Sequence, residues 1–196
     1  FAACQAPKNN NVIQYELDDS QLYADFKNNG GITVDAGNKT FTLYHMVGAH
    51  APYEMNEQCV DVGETETCLD KQIQGVFRYI NEYMRQMKDK GVYDNSTVII
   101  TADHGGYGLY ERPAVFVKMA DTHNDVMQVN SDSVTFKNLY ATYGKAALGQ
   151  KSKYGKTLFD MEGVSQVRYH VAPWDVSKGM YPTDEYLKNR DYSVFR

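Results

Sequence analysis

Apolar residues recur at three- and four-residue steps between Leu69 and Lys90. Ile73, Val76, Phe77, Ile80, Met84 and Met87 make one stripe, which predicts an amphipathic helix. Lys88 and Lys90 suit its negative C-terminal end, and Gly91 suits its stop. A different pattern marks the strands. Phe41 to Val47 is rich in aromatic and apolar residues and reads as a buried strand; so do Val98-Ile99-Ile100 and Ala114 to Lys118. Two further helices are expected. One is capped by Asp19 or Ser20, carries Leu22, Tyr23 and Phe26, and stops at Gly30-Gly31. The other is capped by Ser131 or Ser133, carries Phe136, Leu139, Tyr140 and Tyr143, and ends near Gly149. Short strands are expected over Val164 to Val171 and Tyr192 to Phe195, and Gly48 to Thr67 reads as a loop.

Strand 41–47, helix 69–90 and strand 96–101 together compose a βαβ unit whose connection is long enough for a right-handed parallel crossover. The expected class is α/β, with a largely parallel sheet flanked by helices. Helix 69–90 should pack on that sheet through Ile73, Phe77, Ile80 and Met84. A length of 196 residues fits a single domain or a large fragment of one. Lysine plus arginine total 20 against 25 acidic residues, a net charge of −5, so the basic face that nucleic-acid binding needs is not expected. No apolar run approaches the roughly 20 residues of a membrane-spanning helix. The chain opens on Phe1-Ala2-Ala3-Cys4 without an initiator methionine or a leader, so a trimmed chain is expected, with any signal or anchor upstream.

Cys59 and Cys68 flank eight residues of polar loop. A disulfide between them would stabilise by about 2–3 kcal/mol on chain-entropy grounds and would place the chain in an oxidising compartment. Cys4 is left over, and without a CxxC pair a cysteine zinc site is not expected. The 16 tyrosines suit packing at element edges better than a carbohydrate platform. Gly105-Gly106-Tyr107-Gly108 lacks the lysine and hydroxyl residue of a P-loop.

Ligands of parallel sheets gather at the carboxyl ends of the strands. Two polar clusters fall there. One contains His45 and His50, in Tyr44-His45-Met46-Val47-Gly48-Ala49-His50-Ala51-Pro52-Tyr53; the other is Thr101-Ala102-Asp103-His104-Gly105-Gly106. Carboxylate oxygen and imidazole nitrogen both suit zinc or manganese. If the strands are parallel, His50 and the Asp103–His104 pair share one sheet edge.

Three stretches carry a family resemblance. Phe41 to Tyr53 holds a strand followed by H-x4-H-x-P. Val92-Tyr93-Asp94-Asn95-Ser96-Thr97-Val98-Ile99-Ile100-Thr101-Ala102-Asp103-His104-Gly105 is the most specific, and Arg112-Pro113-Ala114-Val115-Phe116-Val117-Lys118 follows it. In this order they resemble the alkaline-phosphatase/sulfatase superfamily, in its membrane-anchored branch of lipoteichoic-acid synthases and phosphoethanolamine transferases. The similarity covers about residues 40–160.

That resemblance implies the C-terminal portion of a sulfatase-like catalytic domain, with Asp103 and His104 as metal ligands and His50 contacting a phosphate headgroup. His45 matches a lesser position, and its place on a strand suggests a hydrogen-bonded core histidine instead. The implied metal is divalent, zinc or manganese first and calcium or magnesium next. The implied reaction is two-step phosphoryl-type transfer on envelope glycans or lipids outside the cytoplasm, in a membrane-anchored parent. No segment matches the family's nucleophile or its remaining acidic ligand; both belong to the N-terminal half of that domain. Only Gly106 to Glu111 separates Asp-His-Gly from the Arg-Pro strand, where relatives carry a longer segment with a further histidine. His123 and His170 qualify for that role by residue type alone. Two alternatives stay open: a sulfate-ester hydrolase, and a catalytically degenerate binding or scaffold domain.

Overall fold

The computed structural model describes residues 18–105, 113–123, 126–132, 134–149, 153, 155–164, 169–171 and 180–182. The chain divides into two compact units, Phe1–Asp94 and Asn95–Arg196. In the first, helices α1 (Asp19–Asn28) and α2 (Leu69–Asp89) frame a long connecting segment. The second contains β1 (Val98–Thr101), β2 (Val115–Lys118), α3 (Phe136–Leu148), a 3-10 turn (Leu158–Asp160), β3 (Tyr169–Val171) and β4 (Met180–Pro182).

Helix α1 starts one residue earlier than its sequence suggests. Asp18 is the cap, its carboxylate accepting from the N–H groups of Ser20 and Gln21 at 2.8 and 3.0 Å. That frees the Asp19 carboxylate, which turns away from the helix. Helix α2 follows its expected span and ends at Gly91, whose φ of 69° suits a glycine. The face it buries coincides with the apolar stripe only in part, at Met87 and at the half-buried Val76. Gln72, Gly75, Tyr79 and Met87 are buried, whereas Ile73, Ile80 and Met84 are half-covered and Phe77 is exposed. The buried face meets α1 and the connecting segment around Met55 and Cys59, with Leu22, Tyr23, Phe26, Met46 and Val76 packed against them.

Aromatic rings fill much of this core. Tyr79 lies edge-on to Phe26 at 5.3 Å and to Tyr23 at 5.9 Å, and Phe26 stacks on Tyr83 at 5.4 Å. The Tyr79 hydroxyl is buried without a hydrogen-bond partner, and burial pushes its pKa well up. Because that orphaned hydroxyl carries a desolvation cost, Tyr79→Phe is expected to stabilise the chain by about 1 kcal/mol. Denaturant unfolding checks this; a loss of the same size would contradict it.

The sheet differs from expectation. Residues 41–47 form no ladder among the described residues, and β1 pairs with β2 antiparallel, Val98 opposite Lys118 and Thr101 opposite Val115. β3 and β4 form a second antiparallel pair. Among the described residues both ladders are antiparallel, and the largely parallel sheet that was expected is not seen. Without a strand beside it, the 41–47 segment cannot bury both faces: Phe41 is 69 % and Leu43 59 % exposed, and His45 is exposed rather than a core histidine. The predicted Val164–Val171 strand is reduced to β3, with residues 165–168 outside the described residues, as is the segment 192–195.

The second unit is anchored around Asn138 rather than a serine cap. Its Oδ1 accepts from the Thr135 N–H at 2.9 Å, closing the N-terminus of α3, and its Nδ2 donates to the Lys156 carbonyl at 3.0 Å. Thr142, fully buried one turn on, donates to the Asn138 carbonyl and accepts from the Leu158 N–H at 3.0 Å. Two of these hydrogen bonds, from Asn138 to Lys156 and from Leu158 to Thr142, tie α3 to the segment after it.

Candidate functional site

His50 stands on a loop, residues 47–55, held by two buried side chains from separate helices. The Asp19 carboxylate at the start of α1 accepts from the N–H groups of Val47 (3.1 Å) and Gly48 (2.7 Å). Burial pushes the Asp19 pKa up, and these two donors oppose that. From α2, Gln72 donates to the carbonyls of Gly48 (2.8 Å) and His50 (2.9 Å) and accepts from the N–H groups of Glu54 (2.9 Å) and Met55 (3.3 Å). Gly48 has φ 64°, the left-handed turn that lets the chain double back. His50 itself is exposed, and its Nδ1 pairs with the Ala51 carbonyl. A carbonyl can only accept, so Nδ1 carries the proton and the neutral ring holds its lone pair on Nε2.

Asp103 and His104 follow β1 directly. Thr101, the last residue of β1, donates through Oγ1 to the Ala114 carbonyl at 3.2 Å, tying this turn to the entry of β2. The Asp103 carboxylate accepts from the His104 N–H at 3.0 Å. His104 Nδ1 donates to the Gly105 carbonyl at 2.6 Å, which leaves the lone pair on Nε2, 3.9 Å from Asp103 Oδ1. Two donors on one tetrahedral cation, each at about 2.0–2.2 Å, sit somewhat closer than this, and both side chains are exposed enough to swing in. An imidazole oriented through Nδ1 by a backbone carbonyl is a common arrangement for ligation through Nε2. The pair fits half of a divalent-metal shell, and among the described residues no group of three or more candidate ligands gathers.

The structure brings Asp103 and His104 together in the second unit; His50 and His45 belong to the first. His123 is exposed, two residues past a turn, and His170 lies in β3. Residues 106–112, which include most of the segment between Asp-His-Gly and the Arg-Pro strand, are outside the described residues.

The disulfide expected between Cys59 and Cys68 is not formed. The Cys59 side chain points into the core, with its sulfur 3.2 Å from Met55 Sδ and 3.8 Å from the Asp19 carbonyl. Cys68 is exposed at the N-cap of α2. Burial pushes the Cys59 thiol up to about 12, so it is an inert packing group rather than a nucleophile.

Asp19 and Gln72 are the residues that sequence reasoning misses. Neither has a motif around it; the one signal is that Gln72 shares a helical face with Gly75 and Tyr79. No family model, no curated protein and no solved structure matches the chain. Among the described residues no helix is long and apolar enough to cross a membrane.

Proposed function

We propose that this chain is the C-terminal part of a sulfatase-like, metal-dependent domain that transfers or hydrolyses phosphate-linked groups on envelope glycans or lipids outside the cytoplasm. The observation that carries the reading is the Asp103–His104 pair, with His104 Nε2 holding its lone pair 3.9 Å from a carboxylate oxygen at the end of a strand. Asp103 and His104 would hold a divalent cation, zinc or manganese by donor type. Such a cation, when bound, supplies charge that stabilises the equatorial oxygens of a phosphoryl group.

The remaining roles follow from chemistry. His50 binds the anionic headgroup, or gives a proton to the departing oxygen from its cationic form. A hydroxyl from the N-terminal half of the domain attacks phosphorus and displaces the alcohol; an acceptor hydroxyl or water then releases the phosphoryl group. In this reading the β1–β2 ladder is the margin of a larger, largely parallel sheet. The half-buried run Val98-Ile99-Ile100, apolar on both faces, supports that, since such strands want cover on both sides. A second reading, a degenerate binding or scaffold domain, is favoured by the want of a third ligand among the described residues.

Two ligands are too few for a tight site. Calorimetry on this chain is therefore expected to give a zinc or manganese affinity weaker than about 1 µM, lost in Asp103→Ala, with no turnover of phosphodiesters or sulfate esters. No binding at all would favour the scaffold, and Asp103-dependent turnover would show that the site is already complete.

A further inference from the structure

We infer that Gln72 is a positioning residue that presents the His50 imidazole to an anionic headgroup, with Asp19 as its counterpart on the other side of the loop. The inference rests on the reading of His50 as a headgroup contact, and it adds how that contact is held in place.

Gln72 is 3 % exposed and spends all its hydrogen-bonding capacity on one loop. Both Nε2 hydrogens meet carbonyls, of Gly48 and His50, and Oε1 takes two N–H groups, of Glu54 and Met55. Two carbonyls on one side and two N–H groups on the other fix which end of the carboxamide is which. No other natural side chain of this size offers two donors and a twofold acceptor, so the position is chemically specific. Simple packing would be met by leucine or methionine. The His50 carbonyl is one of the four partners, so the carboxamide grips the backbone at the histidine itself. The next carbonyl, of Ala51, holds the imidazole through Nδ1. Meanwhile Asp19 fixes Val47 and Gly48 from α1. The loop is therefore clamped at 47–50 and at 54–55 by groups from two helices, and the ring sits on the exposed stretch between. A side chain fixed in this way loses less freedom when it binds, which is how preorganisation raises affinity.

The test uses the full chain, nuclear magnetic resonance and inorganic phosphate as the probe. In the wild type, the amides of Gly48 and Glu54, which lie outside every helix and strand, should exchange with solvent at least roughly tenfold more slowly than an open loop allows. The neutral His50 ring should show the Nδ1–H pattern of nitrogen shifts. Gln72→Glu keeps the acceptor and removes both donors. It should mix the two ring tautomers and weaken the phosphate response of the His50 signals by roughly tenfold, the size expected for two lost hydrogen bonds. Asp19→Asn should act in the same direction. If Gln72→Glu keeps the Nδ1–H pattern and the same phosphate midpoint, the inference is overturned while the headgroup reading stands. If the wild-type His50 signals ignore phosphate, the headgroup reading fails, and the presentation role falls with it. Fast exchange at Gly48 and Glu54 in the wild type overturns the inference without any variant, so a misfolded Gln72→Glu chain does not protect it.

Discussion

Gly75→Ala should destabilise the chain by about 2–3 kcal/mol, although alanine is the better helix former by about 1 kcal/mol. A Cβ on Gly75 would collide with the Asn56 carbonyl oxygen and lie 3.1 Å from Met55 Cε. The methionine can move, but the carbonyl cannot move cheaply. Asn56 donates its N–H to the Val60 carbonyl at 3.0 Å, and its carbonyl accepts from the Cys59 N–H at 3.0 Å. Its side chain meanwhile accepts from the Gln58 and Val60 N–H groups at 2.9 and 3.1 Å. Relief would require that whole turn to shift or α2 to back away from it. The same close approach brings Gln72, one turn earlier, within reach of the His50 loop, so its hold on the Gly48 and His50 carbonyls should loosen in parallel. Chemical denaturation measures the effect. An unchanged or raised midpoint would mean that α2 and the 55–60 turn are not in this contact.

Asn138→Leu should cost about 3 kcal/mol in the second unit. The substitution removes the acceptor that closes the N-terminus of α3, a loss of about 1 kcal/mol, and strips the Lys156 carbonyl of its buried donor, which adds about 1–3 kcal/mol. Asn138→Asp separates the two contributions. It keeps the Oδ1 acceptor and loses the Nδ2 donor, so it should fall between the wild type and Asn138→Leu. Equal losses for the two variants would show that the cap contributes nothing.

How far these features could be read in advance depended on which physical signal carried them. The span of α2 was legible because a 21-residue helix repeats its period many times and Gly91 marks its end. Its buried face was not, because the residues there are chosen for contact rather than for hydropathy: Gln72 for four hydrogen bonds, Gly75 for closeness, Tyr79 for its rings. Val98–Thr101 and Val115–Lys118 were legible as strands, while their antiparallel pairing was not, since strand direction depends on partners that an apolar run does not name. Phe41–Val47 has the composition of a strand and lacks a ladder, because composition does not supply a neighbour. Both helix caps were misplaced by short steps, from Asp18 to Asp19 and from Thr135 to Ser133, since hydroxyl and carboxylate residues crowd each N-terminus and only geometry selects one. The place of Asp103 and His104 just past β1 was visible in local order alone. The side chains that hold His50 come from positions 31 residues before it and 22 after it, which no local window joins.

The central claim of the proposal is that Asp103 and His104 together hold one divalent cation. Titrating the full chain with manganese while recording the histidine ring and aspartate signals tests it most directly, because a paramagnetic ion broadens nearby lines strongly and distant ones hardly at all. The account predicts that the Asp103 and His104 signals broaden together at the same low manganese-to-protein ratio, and that Asp103→Ala abolishes the broadening of His104. Broadening that leaves His104 untouched would contradict it, as would broadening of His104 that survives Asp103→Ala.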